Sequence, residues 1–141
     1  MSFIKMGTNL DDIQEEGLAP EGEYELEIVY VGEDKISDND RVSFPVGVKI
    51  CDPDQDAGMI FHHLAFPKED DFTEKGGQTA KLMLRSVKRF FNVFSIPTTD
   101  EGFDKDDLMN ATGKCGVVQK PMRDDDPESD IVNKLRLPRI G

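Results

Sequence analysis

The chain has 141 residues and a formal net charge of −12, with 37% hydrophobic and 33% charged residues. This length fits one domain, and this composition excludes a fibrous or wholly disordered protein. No apolar run approaches the roughly 18 residues of a membrane span, and the first residues lack the apolar centre of a signal peptide, so we expect a cytoplasmic protein without a membrane partner.

The acidic residues are concentrated in the first half of the chain. Residues 1–80 carry 6 Lys/Arg against 19 Asp/Glu, a net of −13, whereas residues 81–141 carry 11 against 10, a net of +1. Binding to a polyphosphate needs positive potential where contact occurs. This distribution argues against nucleic-acid binding over the whole surface and leaves room for a local binding surface.

Two predicted strands follow a polar N-terminal segment. Residues 1–20 show little periodicity, which predicts a flexible N-terminal arm ahead of a single domain at residues 21–141. The stretches "EYELEIVYV" and "RVSFPVGVKI" then alternate apolar and polar residues, as half-buried strands do. Pro45 and Gly47 do not fit the middle of a flat, fully paired strand, so we expect an edge, a bulge or a bend there.

The third predicted strand, "MIFHHLAFP", is apolar on both sides. Phe61 and His63 fall on one side and His62 on the other, because successive side chains of a strand point to opposite faces. Either side can be the core on this pattern alone. The interpretation that we favour places Ile60, Leu64 and Phe66 inward and leaves Phe61 and His63 exposed.

A basic and aromatic stretch, "KLMLRSVKRFFNVFSIP", occupies residues 81–97. At 100° steps its apolar residues share one arc and its basic residues the other, which predicts an amphipathic helix over residues 79–94 with its aromatic rings in the core. The basic side is interpreted as a solvated face beside acidic loops. The residues expected to be buried are Leu82, Val87, Phe90 and Phe94.

Two further strands, "KCGVVQKPM" and "IVNKLRLPRI", complete the chain. Three strands, one helix and two strands are the element order of an OB-fold. The predicted fold class is therefore mainly β with one helix: a five-stranded Greek-key barrel with the helix between strands 3 and 4, plugging one end. Other α+β folds permit the same order.

Five pieces of the sequence carry a resemblance to a known family. They are "PEGEYELEIVYVGE", "AGMIFHHLAFP", "AKLMLRSVKRFFNVFSIP", "DDLMNATGKCGVV" and "NKLRLPRI", and they span residues 20–140. In pattern and order they resemble the OB-fold single-stranded DNA-binding proteins of tailed bacteriophages.

This resemblance implies a sequence-independent single-stranded DNA-binding protein that acts in phage DNA replication or recombination, in the cytoplasm of a bacterial host. Its implied partners are single-stranded DNA and phage replication or recombination proteins, and a homodimer is left open. The chain ends "LRLPRIG". It therefore departs from the acidic C-terminal tail with which many proteins of this role recruit partners.

The strand alternation itself points to candidate DNA-binding residues. Proteins that bind single strands combine a cationic groove with exposed aromatic rings on which bases stack. The first strand turns Glu23, Glu25 and Glu27 outward, so a cationic surface can cover only one side of the barrel. The candidates are Tyr30, Arg41, Lys49, Phe61, His63, Lys114, Lys120, Lys134 and Arg136.

The sequence gives no support for a metal site, a cofactor or catalysis. Adjacent histidines at 62 and 63 cannot chelate one ion from a regular strand, and Cys51 and Cys115 are far apart and are expected to be buried. There is no Ser/His/Asp constellation, no phosphate-binding glycine loop and no HExxH motif. We therefore expect a protein that is not an enzyme.

One alternative function stays open. The acidic first half could repel DNA and an edge of the barrel could pair with another protein, which would make the chain a phage assembly or host-modulating protein that does not bind nucleic acid. Where the outward basic residues cluster in space distinguishes the two functions.

Overall fold

Six strands, one α-helix and four short 3₁₀-helices make up the regular structure of residues 2–12, 17–52 and 57–140, which this computed structural model describes. The predicted class, mainly β with one helix, is confirmed. In this part of the chain no helix is long and apolar enough to cross a membrane. The elements are β1 (Gly22–Val31), β2 (Lys35–Ile36), β3 (Val42–Ile50), β4 (Ile60–Ala65), α1 (Gln78–Phe94), β5 (Thr112–Arg123) and β6 (Asp126–Arg136).

All six strands belong to one antiparallel sheet. The strand order is β2-β3-β1-β5-β6. Strand β4 is off this path and pairs with β3 on the edge opposite to β1. Some Cα atoms of β4 lie within 8 Å of Cα atoms of β6. No backbone pairing between these two strands is found among the described residues, so the sheet is not closed there.

The strand count and the position of the helix differ from the prediction. A short strand, β2, pairs Lys35 with Ser43 and Ile36 with Val42, inside a segment for which no strand was predicted. The sheet therefore has six strands instead of five, and α1 lies between the fourth and the fifth. Both residues of β2 are exposed, so this strand has no core side whose alternation the sequence could reveal.

The core lies between one side of the sheet and α1. The alternation of β1 and β3 puts their apolar side chains on this side, as predicted, and an aromatic ring from the helix completes the packing. The side chains of Leu26, Ile28, Val46, Val48 and Phe90 are fully buried, each with 0% exposed.

The helix packs on a narrower stripe than its sequence suggests. Val87, Phe90 and Phe94 are buried as predicted, but the prediction for Leu82 is wrong, since 52% of this residue is exposed. Leu82 lies about 130° around the helix axis from the centre of the buried stripe at 100° per residue. The apolar arc read from the sequence was broad enough to include it, whereas the sheet covers only the middle of that arc.

The chain ahead of β1 spans the gap between β4 and β6. Gly17 forms a parallel bridge with Ala57, just before β4. Ala19 is 1% exposed. Its N–H donates to Asn133 Oδ1 at 2.9 Å, and its carbonyl accepts from Gln119 Nε2 and Asn133 Nδ2, both at 3.0 Å. Gly17 and Ala19 are thus fixed to the segment that leads into β4 and to β5 and β6, respectively.

Candidate nucleic-acid interface

An exposed aromatic pair lies on the outer face of the sheet, which we define as the side opposite to the buried core. Tyr30 of β1 is in register with Gly47 of β3, and Gly47 with Phe61 of β4. Residues in register lie on the same side of a sheet. Tyr30 is 40% exposed and Phe61 59%, and their ring centroids are 6.3 Å apart with the ring planes at 80°. Two aromatic residues predicted from the sequence are thereby brought together.

A β-bulge turns Tyr30 to the outer face. Leu26 and Ile28 are buried, and regular alternation would put Tyr30 in the core beside them. The pairing between β1 and β3 shifts at this point, however. Ile28 pairs with Val48, and Tyr30, two residues later in β1, pairs with Gly47, which is only one position further along β3. The extra residue re-aims the tyrosine, a common use of bulges near functional sites.

Gly47 leaves space that a methionine fills. A Cβ atom at this position would collide with the side chain of Met59, which lies over the glycine, and would stand 3.2 Å from Tyr30 Cβ. Met59 is 40% exposed. Met59 was not among the residues predicted from the sequence. A glycine inside an alternating strand was the available signal, because it often marks a close approach.

The two adjacent histidines of β4 have different environments. His63 is exposed on the same side as Phe61, so the predicted orientation of this strand is confirmed. His62 stacks on Phe90 with ring centroids 4.9 Å apart and planes at 1°. Burial lowers the pKa of His62 to about 4, with a smaller contribution from the charge of His63. Its Nε2 atom has no hydrogen-bond partner among the described residues.

A groove of about 500 Å³ extends from Phe61 to β6. Lys134 is among its lining residues and donates from Nζ to Asp124 Oδ1 at 2.9 Å. This hydrogen bond, helped by the charge of Lys120, holds the pKa of Asp124 below its ordinary value. The Asp124 side chain is 92% exposed, so the ion pair is weak and Lys134 can exchange it for a phosphate. The groove is lined by Leu18, Met59, Phe61, Met122, Val132 and Lys134, among others.

Three other predicted basic residues lie beside the glutamates of β1. Opposite charges in register on one face attract and offset each other. These three side chains therefore make the outer face of β1 close to neutral instead of cationic. In register, Lys49 faces Glu27 and Lys114 faces Glu25, while Arg136 lies over Gly116, whose partner on β1 is Glu23.

Arg41 is held by an ion pair away from the aromatic residues. Its Nε and Nη2 atoms donate to Asp71 Oδ2 and Oδ1 at 2.9 and 2.8 Å, and the backbone N–H of Lys68 also donates to Oδ2. The guanidinium lowers the pKa of Asp71, which is 3% exposed, to about 2. The pair joins the start of β3 to the loop between β4 and α1, so Arg41 is engaged in positioning that loop.

Metal-binding groups do not converge in the part of the chain that the structure describes. No group of three or more His, Cys, Asp or Glu side chains is placed there to hold an ion. Cys115 is buried, as expected, and its pKa is raised to about 11 by burial. Cys51 is exposed, contrary to the expectation, because it follows β3 where the strand leaves the sheet.

Comparison with known proteins gives no family assignment. No protein-family model matches the chain, and no curated protein matches it.

Proposed function

We propose that the protein binds single-stranded DNA without sequence specificity and acts in phage DNA replication or recombination. The observation that carries this proposal is the exposed pair of Tyr30 and Phe61, held on the outer face beside the groove that contains Lys134. Bases stack on exposed aromatic rings whatever their sequence, and each stacked base contributes about 1–3 kcal/mol. Two rings, on β1 and β4 with β3 between them, offer such a platform.

The strand pairing supports an OB-fold architecture for this platform. Among the five long strands, β1 pairs with both β3 and β5, while β4 pairs with β3 and β6 with β5. The free edges of β4 and β6 approach each other. A partly open Greek-key barrel of this kind binds oligonucleotides on its second and third strands, which are β3 and β4 here.

The charges of the platform favour few phosphate contacts. Lys134 lines the groove and Lys120 lies near its ion-pair partner Asp124, whereas Lys49 and Lys114 face glutamates. Stacking then supplies most of the affinity, and salt has a limited effect. Two released counterions on a single strand correspond to a slope of about −1.4 for the logarithm of the binding constant against that of the salt concentration.

Fluorescence anisotropy with labelled oligo-dT, duplex DNA and RNA tests this proposal. We expect oligo-dT to bind more tightly than duplex, because a duplex hides the faces of its bases. Phe61→Ala should weaken oligo-dT binding, and Leu82→Ala, a change at another exposed apolar residue, should not. Equal affinity for duplex, or no binding of oligo-dT at low salt, would contradict the proposal.

A protein-interaction module that does not bind nucleic acid is the second candidate. The specific observation in its favour is the row of β1 glutamates that faces Lys49 and Lys114. Absence of oligo-dT binding in the same titration, with the fold intact by circular dichroism, would favour this function.

A further inference from the structure

The hairpin formed by β5 and β6 bends near its end. Its residues pair one for one up to Pro121, which faces Ile131. The next pair joins Arg123 to Asp126, so two steps along β5 correspond to five along β6. The three extra residues make a bulge in β6, and a bulge bends the strand that carries it. The turn at residues 124 and 125 therefore does not continue the line of the hairpin.

This turn folds back towards the groove that Phe61 and Lys134 line. Lys134 is in register with Val118, six positions before Asp124 in the chain. In a straight hairpin six residues of a strand cover about 20 Å, which is more than a lysine and an aspartate side chain can bridge. Lys134 Nζ nevertheless lies 2.9 Å from Asp124 Oδ1. The bend thus places a carboxylate on the lysine of the groove.

Hydrogen bonds of one serine fix the shape of the turn. Ser129 Oγ accepts from the backbone N–H of Arg123 at 3.1 Å and donates to the carbonyl of Asp126 at 2.7 Å. Arg123 Nη2 also donates to Asp126 Oδ2 at 3.1 Å. Asp124 takes no part in these bonds. Replacing its carboxylate therefore removes a charge from the turn and leaves the bonds that shape it in place.

The turn carries a high negative charge. Residues 124–130, "DDDPESD", include five acidic residues and no basic one. A phosphate that approaches Lys134 meets this charge and competes with Asp124 for the same ammonium group. The Asp124 side chain is 92% exposed, so a competing anion can break the pair. Contact between a phosphate and Lys134 therefore requires that Asp124 first be displaced.

We propose that this turn, residues 124–130, is autoinhibitory: Asp124 occupies Lys134 in the free protein, and a phosphate of the single strand has to displace it. The inference rests on the proposed function and adds the regulation of the same site. The inhibitory turn holds the affinity for DNA below the value that the aromatic pair and a free Lys134 would give. Salt screens an exposed ion pair, so the inhibition is strongest at low ionic strength.

Asp125 provides a matched control within the same turn. It is adjacent to Asp124, exposed and equally charged. No ion pair of Asp125 is found within the described residues. If the turn only repelled phosphates through its total charge, removing either carboxylate would have the same effect. The ion pair with Lys134 predicts that Asp124 has the larger effect.

Anisotropy titration of the full-length protein with labelled oligo-dT tests the inhibition. Asp124→Asn should tighten binding about two- to fivefold at low salt, the range expected for the loss of one exposed ion pair. Asp125→Asn should give a smaller gain. The advantage of Asp124→Asn should shrink as salt is added, so its salt slope should be steeper than that of the wild type. Equal gains in the two variants, or no gain from Asp124→Asn, would overturn the proposal.

A double change tests whether the inhibition acts through Lys134. In a Lys134→Ala background, Asp124→Asn should tighten binding no more than Asp125→Asn does, because no ammonium group is left to release. A full gain without Lys134 would overturn the proposal. If neither the wild type nor any variant binds oligo-dT, the proposed function itself fails and the inhibition with it. Binding by the wild type that Asp124→Asn leaves unchanged would contradict the inhibitory turn alone.

Discussion

Tyr30 and Phe61 belong to strands that do not pair with each other, yet their rings are 6.3 Å apart. They come together because β3 lies between their strands and carries Gly47 at the shared register position. A side chain there would collide with Met59 and crowd Tyr30. The pair therefore depends on three separate features: the bulge in β1, the glycine in β3 and the alternation of β4.

The first prediction concerns these two rings. Phe61→Ala should reduce the affinity for oligo-dT by about 1–3 kcal/mol if a base stacks on the ring. The free energy of unfolding should change little, because 59% of the residue is exposed. Anisotropy titration and urea denaturation measure the two quantities.

The double change Tyr30→Ala with Phe61→Ala should reduce the binding free energy by less than the sum of the two single changes, since the effects of adjacent residues that share a ligand are not additive. Full additivity would mean that the rings act independently.

The second prediction separates the strand surface from the helix surface. Lys134→Ala should weaken oligo-dT binding and make the salt slope less steep by about 0.7, the loss of one phosphate contact. Changing Lys88 and Arg89 together to Ala should leave both quantities almost unchanged, because α1 covers the core side of the sheet. Titrations at several salt concentrations measure both effects. The reverse result would place DNA across the helix.

Much of the fold was predictable because burial leaves periodic patterns. The alternation of β1 and β3 and the helical arc around Phe90 each follow from a repeat that matches the geometry of the element. The two-residue strand β2 was not predictable, because both of its residues are exposed. Leu82 was assigned wrongly because a helix pattern shows which residues are apolar and cannot show how much of the arc a neighbouring element covers.

The candidate site was predictable only in part. Alternation separated the two sides of β4 without deciding which of them is exposed, whereas the outward direction of Lys49 and Lys114 followed from alternation. The residues that face these two lysines could not be predicted in this way, because the cross-strand register places Glu27 and Glu25 opposite them. Register over this distance depends on turns and bulges that local sequence does not specify.

The third prediction concerns the helix core. Phe90 is fully buried, and Phe90→Ala should lower the free energy of unfolding by about 3–5 kcal/mol, because it removes a large ring and leaves a cavity. Leu82→Ala is the matched control on the same helix and should cost well under about 1 kcal/mol, since Leu82 is half exposed. Urea denaturation measures both. A small effect of Phe90→Ala would contradict its position in the core.

The fourth prediction concerns Asp71 and acid. Its folded-state pKa is lowered to about 2, first by the hydrogen bond from Arg41. A carboxyl group with a lowered pKa contributes stability above its unfolded pKa of 3.8, and this stability is lost as the pH falls from about 4 towards 2. Asp71→Asn should therefore lower stability at pH 7 and have a smaller effect near pH 2. An equal loss at both pH values would show that packing, and not the charge, is responsible.

The fifth prediction concerns His62. Its protonation should destabilise the fold in a higher pH range than the protonation of Asp71 does. Its ring lies flat on Phe90, and burial there lowers its pKa from 6.5 to about 4. The unfolded chain then binds more protons than the folded protein between these values, and stability is lost as the pH falls from 6.5 towards 4. Linkage gives a loss of about 2 kcal/mol between pH 7 and pH 5.

Urea denaturation at these two pH values measures this loss. His62→Phe keeps an aromatic ring against Phe90 but cannot be protonated, so its stability should change by clearly less than that of the wild type. His63→Gln removes only the smaller cause of the shift and should keep most of the pH dependence, because burial is the larger cause. If His62→Phe lost as much stability as the wild type, carboxylates elsewhere would control the response of the fold to mild acid, and the buried imidazole would not.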